Sequence, residues 1–231
     1  MNNPSSSGRC ILVFVKLPEA GKVKARLSRD LDEDTVCKLY RVFVPDLLDT
    51  LKKGSWTLRI CFYPPDAEGK VADWLGKDLL YIPQAGEDLG DRMKNAFIDT
   101  FSRGHSEVLL IGSDIPDLPR NILDEAFDML KDNEAVIGPA FDGGYYLIGF
   151  RKNSFLPEIF QGIDWGTDAV FAKTVEIFKR NKCEARVLPT WRDVDRLDDL
   201  KALFDRSSST DFSGSRTMIF LTEYFKSLFK K

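Results

Sequence analysis

The sequence predicts an α/β protein, a three-layer α/β/α sandwich around a mixed, mostly parallel sheet. Three observations predict it. Short apolar runs alternate with longer stretches of helical periodicity. Two β-rich runs flank Asp142-Gly143-Gly144, which reads as a hairpin and makes the sheet mixed. Charged segments follow the strands, where parallel sheets collect their ligands.

The elements follow in order. CILVFVK (10–16) is a buried strand. Residues 34–53 carry Val36, Leu39, Tyr40, Phe43, Val44, Leu47, Leu48 and Leu51, a helical spacing, with Pro45 placed to kink it. TLRICFY (57–63) is a strand ended by Pro64-Pro65. A short helix is expected over 67–75, a strand over 79–83, a helix over 90–102, a strand over 107–112 and a helix over 120–131. AVIGPA and YYLIGF form the hairpin. A helix over 168–181 has Thr167 or Asp168 as its cap. EARVLP (184–189) is a strand, and 196–204 the last core helix. This body is assigned to 1–205, and 206–231 to a Ser-rich linker, RSSSTDFSGS, followed by an amphipathic helix. That helix is expected to pack on the body or on a second copy of the chain, which leaves room for a homodimer.

A chain of 231 residues, 43% hydrophobic and 30% charged, can bury a sizeable core. The net charge is −3, so no basic excess argues for nucleic acid or anionic lipid. No apolar run approaches the roughly 18 residues of a membrane span. The start MNNPSSSGR lacks the pattern of a secretory signal. Cys10, Cys37, Cys61 and Cys183 include no CxxC pair and read as free thiols of a reducing cytoplasm. The single histidine, His105, sits in the loop-like SRGHSE and is not expected to be catalytic.

Four strand-end segments concentrate the candidates. KLPEAGKVKARL holds Lys16, Lys22, Lys24 and Arg26, with Gly21 in the turn; it fits a phosphate cradle or a solvated basic loop equally, and lacks the P-loop spacing. QAGEDLGDRM offers Asp88, Asp91 and Arg92, either as pocket residues or as helix-start chemistry. GSDIPDLP delivers Asp114 at the end of a buried strand, where a carboxylate can hold Mg²⁺ or Mn²⁺ against phosphate. Asp117 and Pro119 fit an Asx-turn or cap before the next helix better than Asp114 does. TWRDVDRLDDL supplies Asp193 and Asp195 before a helix, and Asp198 and Asp199 in its first turn; a second metal carboxylate and a capped acidic helix start are both open.

In order, FVKLPEAGKVKARL, QAGEDLGDRM, LLIGSDIPDLP, VIGPAFDGGYYLIGF, IDWGTDAVFAKT and DVDRLDDL resemble the bacterial "transferase 1" family. These are glycosyltransferase-like proteins associated with radical-SAM and selenium-related domains. The family lies in the nucleotide-diphospho-sugar transferase superfamily, with the A-type glycosyltransferase fold, and is similar to 2-phospho-lactate guanylyltransferase and the molybdenum-cofactor nucleotidyltransferases. The resemblance covers roughly residues 10–204. It implies phosphate binding by Lys16, Gly21, Lys24 and Arg26, and a nucleotide pocket that takes in Gln84, Asp88, Gly90, Arg92 and Ser113. Asp114 falls on the metal aspartate, and Asp195, or Asp193, on a second ligand for Mg²⁺ or Mn²⁺. Asp142, Gly143, Gly144, Tyr145, Trp165, Gly166 and Thr167 fall on acceptor-facing motifs. Two departures stand out. Ala25 replaces the threonine of the family's VKTRL, and Asp114-x-x-Asp117 replaces the Asp-x-Asp of ordinary A-type glycosyltransferases.

The implied activity is transfer of a glycosyl group from a nucleotide sugar to a small acceptor, with Asp114, Lys24 and Arg26 as catalytic residues. Nucleotidyl transfer from a nucleoside triphosphate to a phosphorylated acceptor, releasing pyrophosphate, is the near alternative. A non-catalytic nucleotide-binding module is the distant one.

Overall fold

The computed structural model describes residues 8–228. The start of the expected body, 1–7, and the Lys-rich tip of the expected last helix, 229–231, lie outside the described residues.

The first strand, β1 (Arg9–Lys16), is central, because its side chains are apolar on both faces. Ile11, Val13 and Val15 point to one layer of helices, Cys10 and Leu12 to the other. It pairs in parallel with β2 (Thr57–Tyr63) on one side and β4 (Glu107–Ile111) on the other. β3 (Leu80–Pro83) extends the sheet beyond β2. β6 (Tyr145–Arg151) runs antiparallel between β4 and β5 (Ala135–Pro139), and β7 (Ala185–Val187) lies parallel at the edge. The order is β3-β2-β1-β4-β6-β5-β7, so the expected mixed sheet and its hairpin are present.

Helices α1 (Glu33–Leu51), α2 (Glu68–Leu75) and α4 (Arg120–Asp132) cover one face. Helices α3 (Leu89–Ser102) and α5 (Val170–Arg180) cover the other, where Phe97, Phe101, Phe150, Phe155 and Phe160 stack around one another. Pro45 does not break α1, which runs through it without interruption. The outer side of α1 is apolar as well: Val36, Leu39 and Phe43 pack against α6 (Leu197–Ser207) and α7 (Arg216–Leu228). Asp46, 5% exposed, anchors the start of α7 by accepting hydrogen bonds from the backbone N–H of Arg216 (3.2 Å) and Thr217 (2.7 Å).

Local details depart from the sequence reading. α5 is not capped by Thr167 or Asp168; its N-cap is Ala169, with no side-chain bond. The Thr167 hydroxyl instead donates to the Asp164 carbonyl, and the Asp168 backbone is pressed against Gly143. Asp117 does not cap α4 either. It is drawn to Arg206, whose Nε and Nη2 donate to its two oxygens at 2.7 and 3.1 Å, and it accepts from the Trp191 indole at 3.3 Å. β7 stops at Val187, short of the expected 189, since Leu188 and Pro189 lead into the next loop.

The Asp117–Arg206 pair is a buried charge clamp, with Asp117 only 6% exposed. Removing one partner strands the other charge. Arg206→Ala is expected to lower unfolding free energy by about 3 kcal/mol, read as a lower urea midpoint at unchanged slope. A midpoint equal to wild type would show that the clamp contributes nothing net.

Candidate functional site

The strand order reverses direction at β1, so the carboxyl ends of β1 and β4 diverge there and open a crevice. Tyr40 of α1 bolts the two ends together. Its hydroxyl accepts from the Lys16 backbone N–H at 3.1 Å and shares a hydrogen bond with the Ser113 hydroxyl at 2.8 Å. Burial, with the nearby Asp114 charge, pushes the Tyr40 hydroxyl up to about 12, so it stays neutral.

Three chain segments converge above this bolt. The β1 loop contributes Lys24, whose backbone φ of +51° lies in the left-handed region that non-glycine residues seldom occupy. Such strain collects where surrounding contacts fix a functional geometry. Here the contacts are ionic. The Lys24 Nζ lies 2.7 Å from Asp114 Oδ1 and 2.9 Å from Asp195 Oδ1, with its side chain 3% exposed. Burial alone would lower the Lys24 pKa, but Asp114 and Asp195 raise it above the ordinary lysine value, so the ammonium persists.

The loop before α6 contributes Asp193 and Asp195. Its path is set by Asp199, which accepts from the backbone N–H of Asp195 and Arg196 at 3.2 and 2.9 Å. Val194 N–H donates to the Asp114 carbonyl at 2.9 Å, locking this loop to the end of β4. Arg26 completes the cluster. Its Nη1 is 3.1 Å from Asp195 Oδ2 and 3.5 Å from Asp142 Oδ2, and its Nη2 donates to the Gly166 carbonyl at 3.2 Å.

Asp142 arrives on the β5–β6 hairpin. One of its oxygens accepts from the Gly144 N–H at 2.9 Å, closing the turn. Gly143 has φ +88°, and a Cβ there would fall 2.2 Å from the Asp168 carbonyl oxygen, so no side chain fits.

Oxygens of Asp142, Asp193 and Asp195 lie within 4.8 Å of one another. Hard carboxylate oxygens in such a group suit Mg²⁺ or Mn²⁺. The electrostatics point the same way. Burial first, then the charges of Asp142 and Asp195, push Asp193 up to about 7, with Lys24 offsetting only part of the rise. Asp195 is buried too, but Lys24 and Arg26 outweigh burial and hold it below the usual carboxylate range. Four carboxylates thus meet two contacting cations, an imbalance that a divalent ion would cancel.

Two cavities flank the cluster. One, of about 500 Å³, is basic; Lys16, Lys24, Arg26, Arg92, Gln84 and Ser113 line it with Asp114 and Asp195. The other, of about 200 Å³, holds Asp142, Gly144, Tyr145, Trp165 and Thr167 among apolar neighbours.

The structure therefore gathers most residues singled out in the sequence, and shows local duties for the others. Asp88 caps α3, accepting from the Asp91 N–H at 2.8 Å. Gly90 is a packing glycine, since a Cβ would lie 2.3 Å from the Phe160 carbonyl oxygen. Gly21 turns the β1 loop beside Glu33, with φ +74°. The Gln84 amide donates to the Cys61 and Val15 carbonyls at 2.8 and 3.3 Å, beneath the basic cavity. Arg92 stacks on the Tyr63 ring at 4.2 Å. The sequence reading set Asp142 among acceptor contacts, and missed its place beside Asp193 and Asp195. No signal in the sequence joins a hairpin to a loop 51 positions later. Trp165 and Tyr145 were expected there, but Phe14, Leu89, Met93, Leu110 and Val170 of the second cavity were missed for the same reason.

Comparison with known proteins agrees with this fold. A solved structure from Desulfovibrio desulfuricans G20, provisionally named a nucleotide-diphospho-sugar transferase, is 44% identical, with a TM-score of 0.93 over 97% of this chain and 98% of that one. A 2-phospho-L-lactate guanylyltransferase from Methanocaldococcus infernus is 26% identical over 121 residues, 51% of this chain and 53% of that protein; the match spans about half the length of that curated relative. A Mycobacterium tuberculosis H37Rv protein solved with manganese shares the fold at 16% identity, with a TM-score of 0.51 over 85% of this chain and 98% of that one. The family model described as "Uncharacterized protein conserved in bacteria (DUF2064)" matches residues 47–167, just over half of the sequence, and the chain belongs to that family.

Proposed function

We propose that the protein is a metal-dependent transferase that moves a glycosyl group from a nucleotide sugar to a small acceptor. The observation that carries this reading is the junction at the sheet's switch point. A basic cavity and a small apolar cavity meet across a cluster of four carboxylates and two cations. Asp142, Asp193 and Asp195 would hold Mg²⁺ or Mn²⁺, with Asp114 beside them, and the ion would supply neutralising charge at phosphate oxygens.

The chain's own residues do the rest. Lys16 and Arg92 line the basic cavity and draw in the diphosphate. Lys24 and Arg26, already fixed by their carboxylate partners, stabilise the charge that collects on the departing nucleoside diphosphate as the sugar–phosphate bond breaks. The Ser113 hydroxyl, held by Tyr40, is oriented at the cavity wall before any ligand arrives.

Two observations favour a second reading, nucleotidyl transfer from a nucleoside triphosphate with release of pyrophosphate. The metal strand carries Asp114-x-x-Asp117 in place of Asp-x-Asp, and Asp117 is turned away to Arg206. The curated relative is named a guanylyltransferase. Incubation with nucleoside triphosphates and sugar nucleotides in Mn²⁺ separates the two readings by product. Released nucleoside diphosphate supports the first, and pyrophosphate the second. Neither product, across a broad acceptor panel, would leave only a nucleotide-binding module.

Asp114→Asn tests the site itself. It removes one of the two carboxylates on Lys24, and metal-dependent turnover is expected to fall at least about tenfold while the fold survives. Unchanged turnover at saturating metal would remove Asp114 from the machinery.

A further inference from the structure

We infer that the acceptor is an uncharged alcohol with a compact apolar body, bound in the smaller cavity with its hydroxyl toward Asp142; this rests on the transferase reading above. The cavity measures about 200 Å³, and Phe14, Leu89, Met93, Leu110, Trp165 and Val170 form its apolar walls. At about 30 Å³ per water it holds roughly seven waters' worth of ligand. That is below the roughly 300–1,000 Å³ of sites for drug-sized molecules.

Its chemistry is the reverse of its neighbour's. Four lysines and arginines line the basic cavity, whereas none lines this one, and Asp142 is its one charged residue. Arg26, the cation that approaches Asp142, is engaged with Asp195 and the Gly166 carbonyl and faces the basic cavity. The Tyr145 hydroxyl is turned to the Met93 sulfur at 3.7 Å, so it adds no strong donor. A phosphate monoester carries roughly −1.5 to −2 charges at neutral pH. Seating it here would strip its water and set it among walls that hold no lysine or arginine; the ion proposed on Asp142 is already neutralised by the carboxylates of Asp142, Asp193 and Asp195. An alcohol carries none of those costs, and its hydrocarbon part gains from burial. The two cavities share Phe14, Leu89 and Gly112, so a hydroxyl at the mouth of one faces a nucleotide in the other.

Benzyl alcohol and benzyl phosphate are matched probes that differ only at the group in question. Calorimetric titration of each is done on the protein alone and on the protein with Mg²⁺ and the nucleotide that gives the largest thermal shift. The alcohol is expected to bind saturably, at least about tenfold more tightly than the phosphate, or about 1.4 kcal/mol. Val170→Phe, which fills the cavity, should abolish alcohol binding and leave the nucleotide-dependent thermal shift in place. Equal or tighter binding of the phosphate overturns the inference. So does an absence of saturable alcohol binding, or alcohol binding that survives in a folded Val170→Phe protein. Should that variant not fold, the comparison of the two probes on the wild-type chain decides alone. Failure of every nucleotide to bind would instead sink the transferase reading, and would leave the alcohol preference measurable on the protein by itself.

Discussion

Lys24→Ala will be the most damaging single substitution at the site. The Lys24 side chain is 3% exposed and serves two carboxylates at once, so its loss strands Asp114 and leaves Asp195 with Arg26 alone, beside Asp142 and Asp193. Breaking a buried pair by removing one partner costs about 3–5 kcal/mol. The low end applies here, because the Asp114 side chain remains 40% exposed and is partly screened by water. A loss of about 3 kcal/mol lowers the thermal midpoint by roughly 6–12 °C in a chain of this size. The double variant Lys24→Ala/Asp114→Asn should be more stable than Lys24→Ala, since it also removes the stranded charge. Nucleotide affinity should fall in both. If Lys24→Ala melts with the wild-type protein, the ammonium is not the counter-ion that its contacts suggest.

Asp195→Asn is the second large effect, and it separates function from stability. Asparagine keeps an oxygen for Lys24 and nearly the same volume, so the fold should tolerate it. The carboxylate charge that Lys24, Arg26 and the proposed metal share is lost. Metal-dependent turnover is expected to drop by about a hundredfold, with half-maximal activity shifted to higher Mn²⁺. Wild-type turnover at an unchanged metal requirement would take Asp195 out of the site. Asp198→Asn serves as the control: that carboxylate is 91% exposed and, among the described residues, pairs with Lys201 on the surface.

The fold was legible because its strands are apolar on both faces, as in CILVFV and EVLLI, and its helices show a clean period. The strand-end rule then brought Lys24, Asp114 and Asp195 to one place without any coordinates. Legibility stopped where a polar residue had two local options. Asp88 and Asp117 both precede helices and look alike in the sequence, yet only Asp88 caps its helix. What distinguishes them is Arg206, which lies 89 positions from Asp117. Likewise Phe14, Met93 and Val170 each read as ordinary core residues. Only the packed chain shows that they leave a space between them.

The span between Lys24 and Asp195 also governs how the molecule is made. These residues are 171 positions apart, and the outer face of α1 is covered by Leu27 and Leu31 on one part and by segments that follow residue 193 on the rest. A nascent chain can pair β1 with β2 early, because their contact spans few residues. It cannot neutralise Lys24 through Asp195, or shield Leu39 and Phe43, until nearly the whole sequence has left the ribosome. Truncated products should therefore be sticky as well as inactive, and the proposed site should appear in the same late step that hides the last greasy surface.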